Sequence, residues 1–206
     1  MIVNSYLYKN NAAILVNTNQ PLKVKKIYTK KINDYQILVK MKFTFVCGSQ
    51  LNEIFGNKGK DKYLPHTLGH EGVGKIILVG KKVKRFKRGQ SVIISWIKNS
   101  KKKEAPNPEH IDFGNKKINS GPVSTFLKYA VVSESRIYKI PKKKIKKVHA
   151  LYGCAMPTGV GLALHSIKNL DKNNFITIYG MGGIGLIVYA TLKYHGYNNI
   201  IAIEKN

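Results

Sequence analysis

Two cysteines and one histidine carry the first chemical signal in the chain. Cys47 closes the apolar run FVCGSQ, His70 follows 23 residues on within LPHTLGHEG, and Cys154 lies 107 residues beyond Cys47, opening a helical stretch. Two thiolates and an imidazole form the donor set of an open zinc site, whose fourth position is left to water or substrate. The same residues also read as a disulfide in an oxidising compartment, or as two core thiols beside an unrelated histidine. Spacing alone does not separate the three. His66, His110, His149, His165 and His195 have no ligand spacing, and surface or satisfied partly buried positions account for them.

A second signal lies near the end of the chain. Gly180-Met181-Gly182-Gly183-Ile184-Gly185 fits G-x-G-x-x-G after a strand-like NFITIYG and before an apolar helical GIGLIVYATLKYHG. The first glycine permits a tight turn, the second lets backbone approach a pyrophosphate, and the third lets helix pack on strand; the helix N-terminus adds partial positive charge. Such a site needs an acid about twenty residues on to hold the ribose 2′-hydroxyl. Glu204 stands 19 after Gly185. A carboxylate there repels a 2′-phosphate, which favours NAD over NADP.

The elements that must position these residues fall into two kinds. From about Lys23 to Pro141, short β-branched runs such as KINDYQILVKMKFTFVCGS, EGVGKIILVG, GQSVIISWI and TFLKYAVVSESRIYKIP alternate with Gly, Pro and Lys-rich turns. That pattern predicts an all-β barrel or sandwich. The polar stretch from Lys98 to Gly121 reads as a long excursion loop. Beyond Pro141 the period changes. VHALYGCAMPTGVGLALHSIKNL has helical spacing, and NFITIYG, GIGLIVYATLKYHG and NNIIAIE form a β-α-β unit, so a domain boundary is expected between 141 and 155.

Composition narrows the function classes. The chain of 206 residues has 36 Lys+Arg against 10 Asp+Glu, a net charge of +26, with 43% hydrophobic residues, enough for a real core. Such a charge invites a nucleic-acid reading. Its make-up argues against one: 33 of the cations are Lys and only Arg85, Arg88 and Arg136 are Arg, whereas bidentate recognition of phosphates and bases favours guanidinium. Lysine runs at 81–88, 101–103 and 142–147 fall in turns and read as solvated faces. No apolar run approaches the roughly 18 residues of a membrane helix, and MIVNSYLYKNN lacks the features of a secretory signal. A cytoplasmic chain with no membrane association is expected.

Four motifs in order, Cys47-Gly48-Ser49, Leu68-Gly69-His70-Glu71-Gly72-Val73-Gly74, Gly153-Cys154-Ala155-Met156-Pro157-Thr158-Gly159-Val160-Gly161 and the glycine turn, together resemble the zinc-dependent medium-chain alcohol dehydrogenases. SWIKNS, INSGPVSTF and KYAVVSESRIYKIP add to the likeness. The resemblance implies a GroES-like β-barrel catalytic domain over 1–153 and the first portion of a Rossmann, doubly wound nucleotide domain over 154–206. It implies an oxidoreductase passing hydride between an alcohol and NAD. By position, Cys47, His70 and Cys154 match the three ligands of one catalytic zinc, and Glu71 a neighbouring acid, second-shell or exchangeable. Ser49 matches the hydroxyl that takes the alcohol proton, and Thr158 a residue near the nicotinamide; Gly180, Gly182, Gly183, Gly185 and Glu204 match the dinucleotide site.

Departures qualify what the likeness implies. Asn52 stands where the family has a relay histidine, and Gln50 where an acid often follows the hydroxyl residue, so the bond orienting His70 must be neutral or come from elsewhere. The stretch Ile97 to Gly121 holds no cysteine, so no structural zinc is expected and one zinc at most. Only two of six Rossmann strands lie in the 206 residues. The expectation is a zinc-binding chain that oxidises alcohols poorly alone, made whole by a complementary C-terminal fragment and a homo-oligomer when complete. Phe55, Trp96 and Met156 are candidates for the substrate pocket. The alternative is a non-catalytic remnant that binds zinc or a polyanion.

Overall fold

Alternation of buried and exposed side chains builds the first part of the chain from two five-stranded antiparallel sheets. The structure, a computed structural model, describes residues 6–99, 101, 103–140 and 144–205; residues 1–5, part of the lysine runs at 101–103 and 142–147, Pro141 and Asn206 lie outside the described residues. The chain divides into two units, Met1–Gly153 and Cys154–Asn206.

In the first unit one sheet has the order β4-β1-β2-β7-β8, from β1 (Tyr6–Leu15), β2 (Lys23–Lys30), β4 (His66–Thr67), β7 (His110–Ile111) and β8 (Lys117–Ile118). The other runs β10-β6-β5-β3-β9, from β3 (Gln36–Thr44), β5 (Gly72–Val79), β6 (Ser91–Ile94), β9 (Tyr129–Ser133) and β10 (Ile137–Lys139). Ile14, Ile27, Ile37, Val39, Ile76, Phe86, Val92, Ile94, Val132 and Ile137 form one core drawn from both sheets. Each such side chain stabilises the fold by about 1.5–3 kcal/mol. A smaller cluster of Val73, Ile93 and Ala150 seats the 3-10 segment Lys147–Gly153 against β5 and β6.

Three local features differ from the sequence pattern. β1 precedes the stretch read as strands, because its inward-facing Asn10, 2% exposed, breaks the apolar alternation. Asn10 is satisfied there by Thr29 Oγ1 at 3.2 Å and the Tyr129 carbonyl at 2.7 Å. Helix α1 (Gly48–Ile54) follows the strand-like run that ends at Cys47. The expected loop from 98 to 121 contains β7 and β8, and residues 148–153, read as α-helical, are 3-10.

The second unit is a β-α-β unit preceded by a helix. α2 (Ala155–Ser166) packs on α3 (Gly183–Tyr194), and β11 (Ile176–Tyr179) pairs in parallel with β12 (Ile200–Ile203), Ile176 opposite Ile200. Ala163, Ile178, Val188, Leu192 and Tyr197 make its core. Tyr179, Ile201 and Ile203 are exposed, which is the apolar edge expected of a parallel sheet of two strands. Among the described residues no helix is long and apolar enough to cross a membrane.

Candidate zinc and dinucleotide half-sites

Cys47 and His70 are brought under one polar side chain. Cys47 is the N-cap of α1, and its N–H donates to Oε1 of Gln50 at 2.8 Å. The same Gln50, 3% exposed, touches Nδ1 of His70 with its amide nitrogen. His70 sits between β4 and β5 directly after Gly69, whose φ is +92° and whose added Cβ would collide with the Thr125 hydroxyl. Only glycine lets the chain turn the imidazole inward at that point. On its other side, buried Glu71 presents its carbonyl to the hydroxyls of Thr44 at 2.8 Å and Thr125 at 3.1 Å.

The electrostatics suit a ligand. Burial, then the positive charge of Lys58, hold His70 below its ordinary value, with Glu53 opposing. The ring is therefore neutral at pH 7, the form that binds metal. Among the described residues its Nε2 is buried without a hydrogen-bond partner. A neutral imidazole with an orphaned nitrogen, linked through Gln50 to the backbone of a cysteine, offers donor types that fit zinc. Ligation through Nε2 requires the proton on Nδ1, so Gln50 must then present its oxygen to that N–H.

Ser49 lies in the first turn of α1, half-buried, its hydroxyl unpartnered among the described residues. Asn52 is exposed and accepts from Asn57 Nδ2 at 3.3 Å. Trp96 meets the edge of the His70 ring at 6.1 Å between centroids, whereas Phe55 projects outward, 55% exposed. Gly153, the last residue of the first unit, packs on Glu71; its carbonyl accepts from Ser95 Oγ at 2.6 Å and Trp96 N–H at 3.2 Å. Thr44, Thr125 and Ser95 left no signal in the sequence, since isolated hydroxyls in strand-like runs are common. Gln50 was visible as a departure and supplies the neutral contact to His70.

In the second unit Cys154 is the N-cap of α2, half-buried, with Met156 and Thr158 in the following turn; Thr158 Oγ1 donates to the Cys154 carbonyl at 2.7 Å. The glycine turn joins β11 to α3. Gly180 has φ +87° and donates to the Ile203 carbonyl at 2.8 Å, which ties the turn to β12. Gly185 packs so closely beneath it that an added Cβ would collide with the Gly180 carbonyl oxygen, whereas Gly182 and Gly183 face open space. Gly182 caps α3 with no side-chain bond, so the first helical N–H groups point outward, as an anion requires. Glu204 Oε2 accepts from Met181 N–H at 2.6 Å, which sets the carboxylate beside the turn. A pyrophosphate and a ribose diol fit this arrangement.

Residues 33–142 match the family profile of the alcohol dehydrogenase GroES-like domain. Alcohol dehydrogenase 6 of Peromyscus maniculatus is 28% identical over 217 residues, which cover 95% of this chain and 57% of that protein. The S-(hydroxymethyl)glutathione dehydrogenase of Photobacterium damsela subsp. piscicida is 27% identical, with 96% and 59% covered. In fold, an alcohol dehydrogenase zinc-binding domain protein from Burkholderia ambifaria superposes with a TM-score of 0.84 at 21% identity, covering 96% of this chain and 59% of that one. Benzyl alcohol dehydrogenase from Acinetobacter calcoaceticus gives 0.80 at 23%, with the same coverage. The chain thus spans less than three fifths of the length of the curated relatives it matches. With the profile covering more than half of its residues, the chain belongs to the GroES-like, zinc-dependent medium-chain alcohol dehydrogenase family.

Proposed function

We propose that the chain supplies the catalytic barrel and the first β-α-β unit of a zinc- and NAD-dependent alcohol dehydrogenase acting on small alcohols or carbonyls. The observation that carries this is the buried, unpartnered Nε2 of His70, linked through Gln50 to Cys47. Cys47, His70 and Cys154 would hold zinc, which when bound supplies a Lewis acid that lowers the pKa of an alcohol, while NAD supplies the hydride acceptor. Ser49 takes the hydroxyl proton and passes it to solvent, because the Asn52 amide does not act as a base at neutral pH. Glu71 supports His70 from the adjacent backbone. Thr158 stands near the nicotinamide; Gly180, Gly182, Gly183 and Gly185 seat the pyrophosphate, and Glu204 binds the ribose hydroxyls and disfavours NADP.

The proposal extends to a cytoplasmic enzyme, homo-oligomeric when whole, whose turnover depends on Rossmann strands additional to β11 and β12. Purified without chelator, the chain should carry one thiolate-bound zinc that is lost in Cys154→Ala. A chain free of zinc under those conditions contradicts the reading. A second reading, a non-catalytic polyanion-binding module, has one observation in its favour: a groove lined by Lys40, Lys42, Lys75, Arg88 and Lys139, with no acid among the described residues that line it. Lys40 and Lys75 are cross-strand partners, a like-charge pair that an anion would relieve. Salt-steep binding to a nucleic acid without zinc would favour that module.

A further inference from the structure

Acids are scarce in this chain, yet two of its ten converge on one buried histidine. Glu53 comes from α1, Asp61 from the following loop and His66 from β4, and their ligating atoms all lie within 4.8 Å of one another. His66 is 7% exposed. Its Nδ1 faces the Thr67 carbonyl at 3.2 Å, so that nitrogen carries the hydrogen. In the neutral ring Nε2 then turns its lone pair on Asp61 Oδ2, 2.8 Å away, and Glu53 Oε1, 3.5 Å away, whereas an imidazolium would donate to them. A lone pair facing two carboxylate oxygens is repulsive unless a cation, either the ring's own second proton or a metal ion, lies between them.

We propose that this cation is a divalent transition-metal ion, zinc or manganese, held by His66 Nε2, Asp61 and Glu53 at a second metal site separate from Cys47 and His70. Separations of 2.8 and 3.5 Å match adjacent ligands of an ion with bonds of roughly 2.0–2.2 Å, which stand about 2.8–3.6 Å apart at angles of about 90–109°. The outer contacts are those of a metal site. Tyr63 N–H holds the other oxygen of Asp61 at 2.8 Å, and Lys58 holds the other oxygen of Glu53 at 3.0 Å, so each carboxylate turns one oxygen inward. The imidazole donates its remaining N–H to a backbone carbonyl. One imidazole and two carboxylates suit zinc or manganese better than calcium or copper. The ion ties α1 to β4, and the partly exposed Glu53 leaves an entry path and room for water ligands. The site stands independently of the dehydrogenase reading.

Manganese discriminates this site from the thiolate set, because it prefers oxygen donors. The metal-stripped full chain should bind one equivalent of Mn²⁺ by electron paramagnetic resonance, and its melting temperature should rise. Asp61→Asn and Glu53→Gln should each weaken binding tenfold or more, and Cys47→Ser should leave it unchanged. Glu53→Gln, at a partly exposed position, keeps the test usable if Asp61→Asn fails to fold. Absence of Mn²⁺ and Zn²⁺ binding in Cys47→Ser, or affinity unchanged by Glu53→Gln, overturns the proposal. So does a nitrogen NMR signature of His66 protonated on both nitrogens in the presence of saturating Mn²⁺ or Zn²⁺, which would make the cation a proton.

Discussion

Gln50 joins His70 to the head of helix α1: its oxygen accepts the Cys47 N–H at 2.8 Å while its amide nitrogen touches Nδ1 of the imidazole. An amide has a single acceptor oxygen, which here faces Cys47, so a zinc-ligating His70 and the Cys47 N–H must share it. A carboxylate has an oxygen for each. Gln50→Glu should therefore tighten zinc binding about tenfold, read by competition with a chromophoric chelator. Gln50→Leu should weaken it by about 10–100-fold, since the ring loses its orienting contact and a buried N–H is left unpaired. Equal affinities in the three proteins would mean that Gln50 does not orient the ligand.

The glycine turn separates a packing role from a binding role. Gly185 has no room for a methyl group beneath the Gly180 carbonyl, so Gly185→Ala should destabilise the second unit by about 1–3 kcal/mol, seen as a lower melting temperature. Gly182 has φ −67° and open space around it, so Gly182→Ala should fold normally. Its methyl group would stand where the pyrophosphate approaches, and NAD affinity measured by calorimetry should fall at least tenfold. A Gly182→Ala protein that binds NAD as tightly as the parent would place the dinucleotide elsewhere.

Parts of this architecture were legible in the sequence because spacing alone determines them. The β-α-β unit announces itself by β-branched runs around a glycine turn, and the fold class followed from the change of period near Pro141. α1 escaped notice because GSQLNEI has no apolar face and starts from a cysteine, not a Ser, Thr or Asp cap. What holds it is tertiary, the contact from Gln50 to His70. The 3-10 segment that ends at Gly153 read as α-helix from its small and apolar residues. It tightens because Gly153 must pack against Ile94 and Glu71, leaving no space for a side chain. The Glu53, Asp61 and His66 cluster had no readable spacing, since its members come from a helix, a loop and a strand.

Acid should destabilise the first unit through a histidine that no site uses. Burial pushes His110 down to about 4 from an ordinary 6.5, and its Nδ1 meets Thr29 Oγ1 at 3.0 Å. Above pH 6.5 the ring is neutral in both folded and unfolded chains. As pH falls below 6.5 the unfolded chain takes up a proton that the folded one refuses. Stability is then lost at ~1.4 kcal/mol per pH unit, to a total of about 3 kcal/mol near pH 4, where the folded form protonates too. His70, also held low, acts in the same direction. Urea midpoints between pH 7.5 and 4.5 should fall steeply in the parent and less steeply in His110→Leu. The same slope in both would assign the acid sensitivity to other groups.

Glu204 offers a test of cofactor choice that spares the turn. Its Oε2 accepts from Met181 N–H at 2.6 Å and its Oε1 from Lys205 N–H at 2.7 Å, so removing the side chain would loosen the turn as well as remove the charge. Glu204→Gln keeps an oxygen for Met181 N–H and removes the charge, giving up only the exposed contact to Lys205 N–H. A carboxylate near the ribose opposes a 2′-phosphate by simple repulsion, and screening at an exposed position limits that effect to about tenfold. The parent should bind NAD more tightly than NADP, and Glu204→Gln should bring the two affinities within about threefold by raising that for NADP. Glu204→Ala should weaken both together, because Met181 N–H loses its acceptor and the turn is left with only the Gly180 bond to Ile203. If the glutamine variant lost NAD affinity without gaining NADP, the carboxylate would serve the ribose hydroxyls alone and discrimination would lie with residues outside this β-α-β unit.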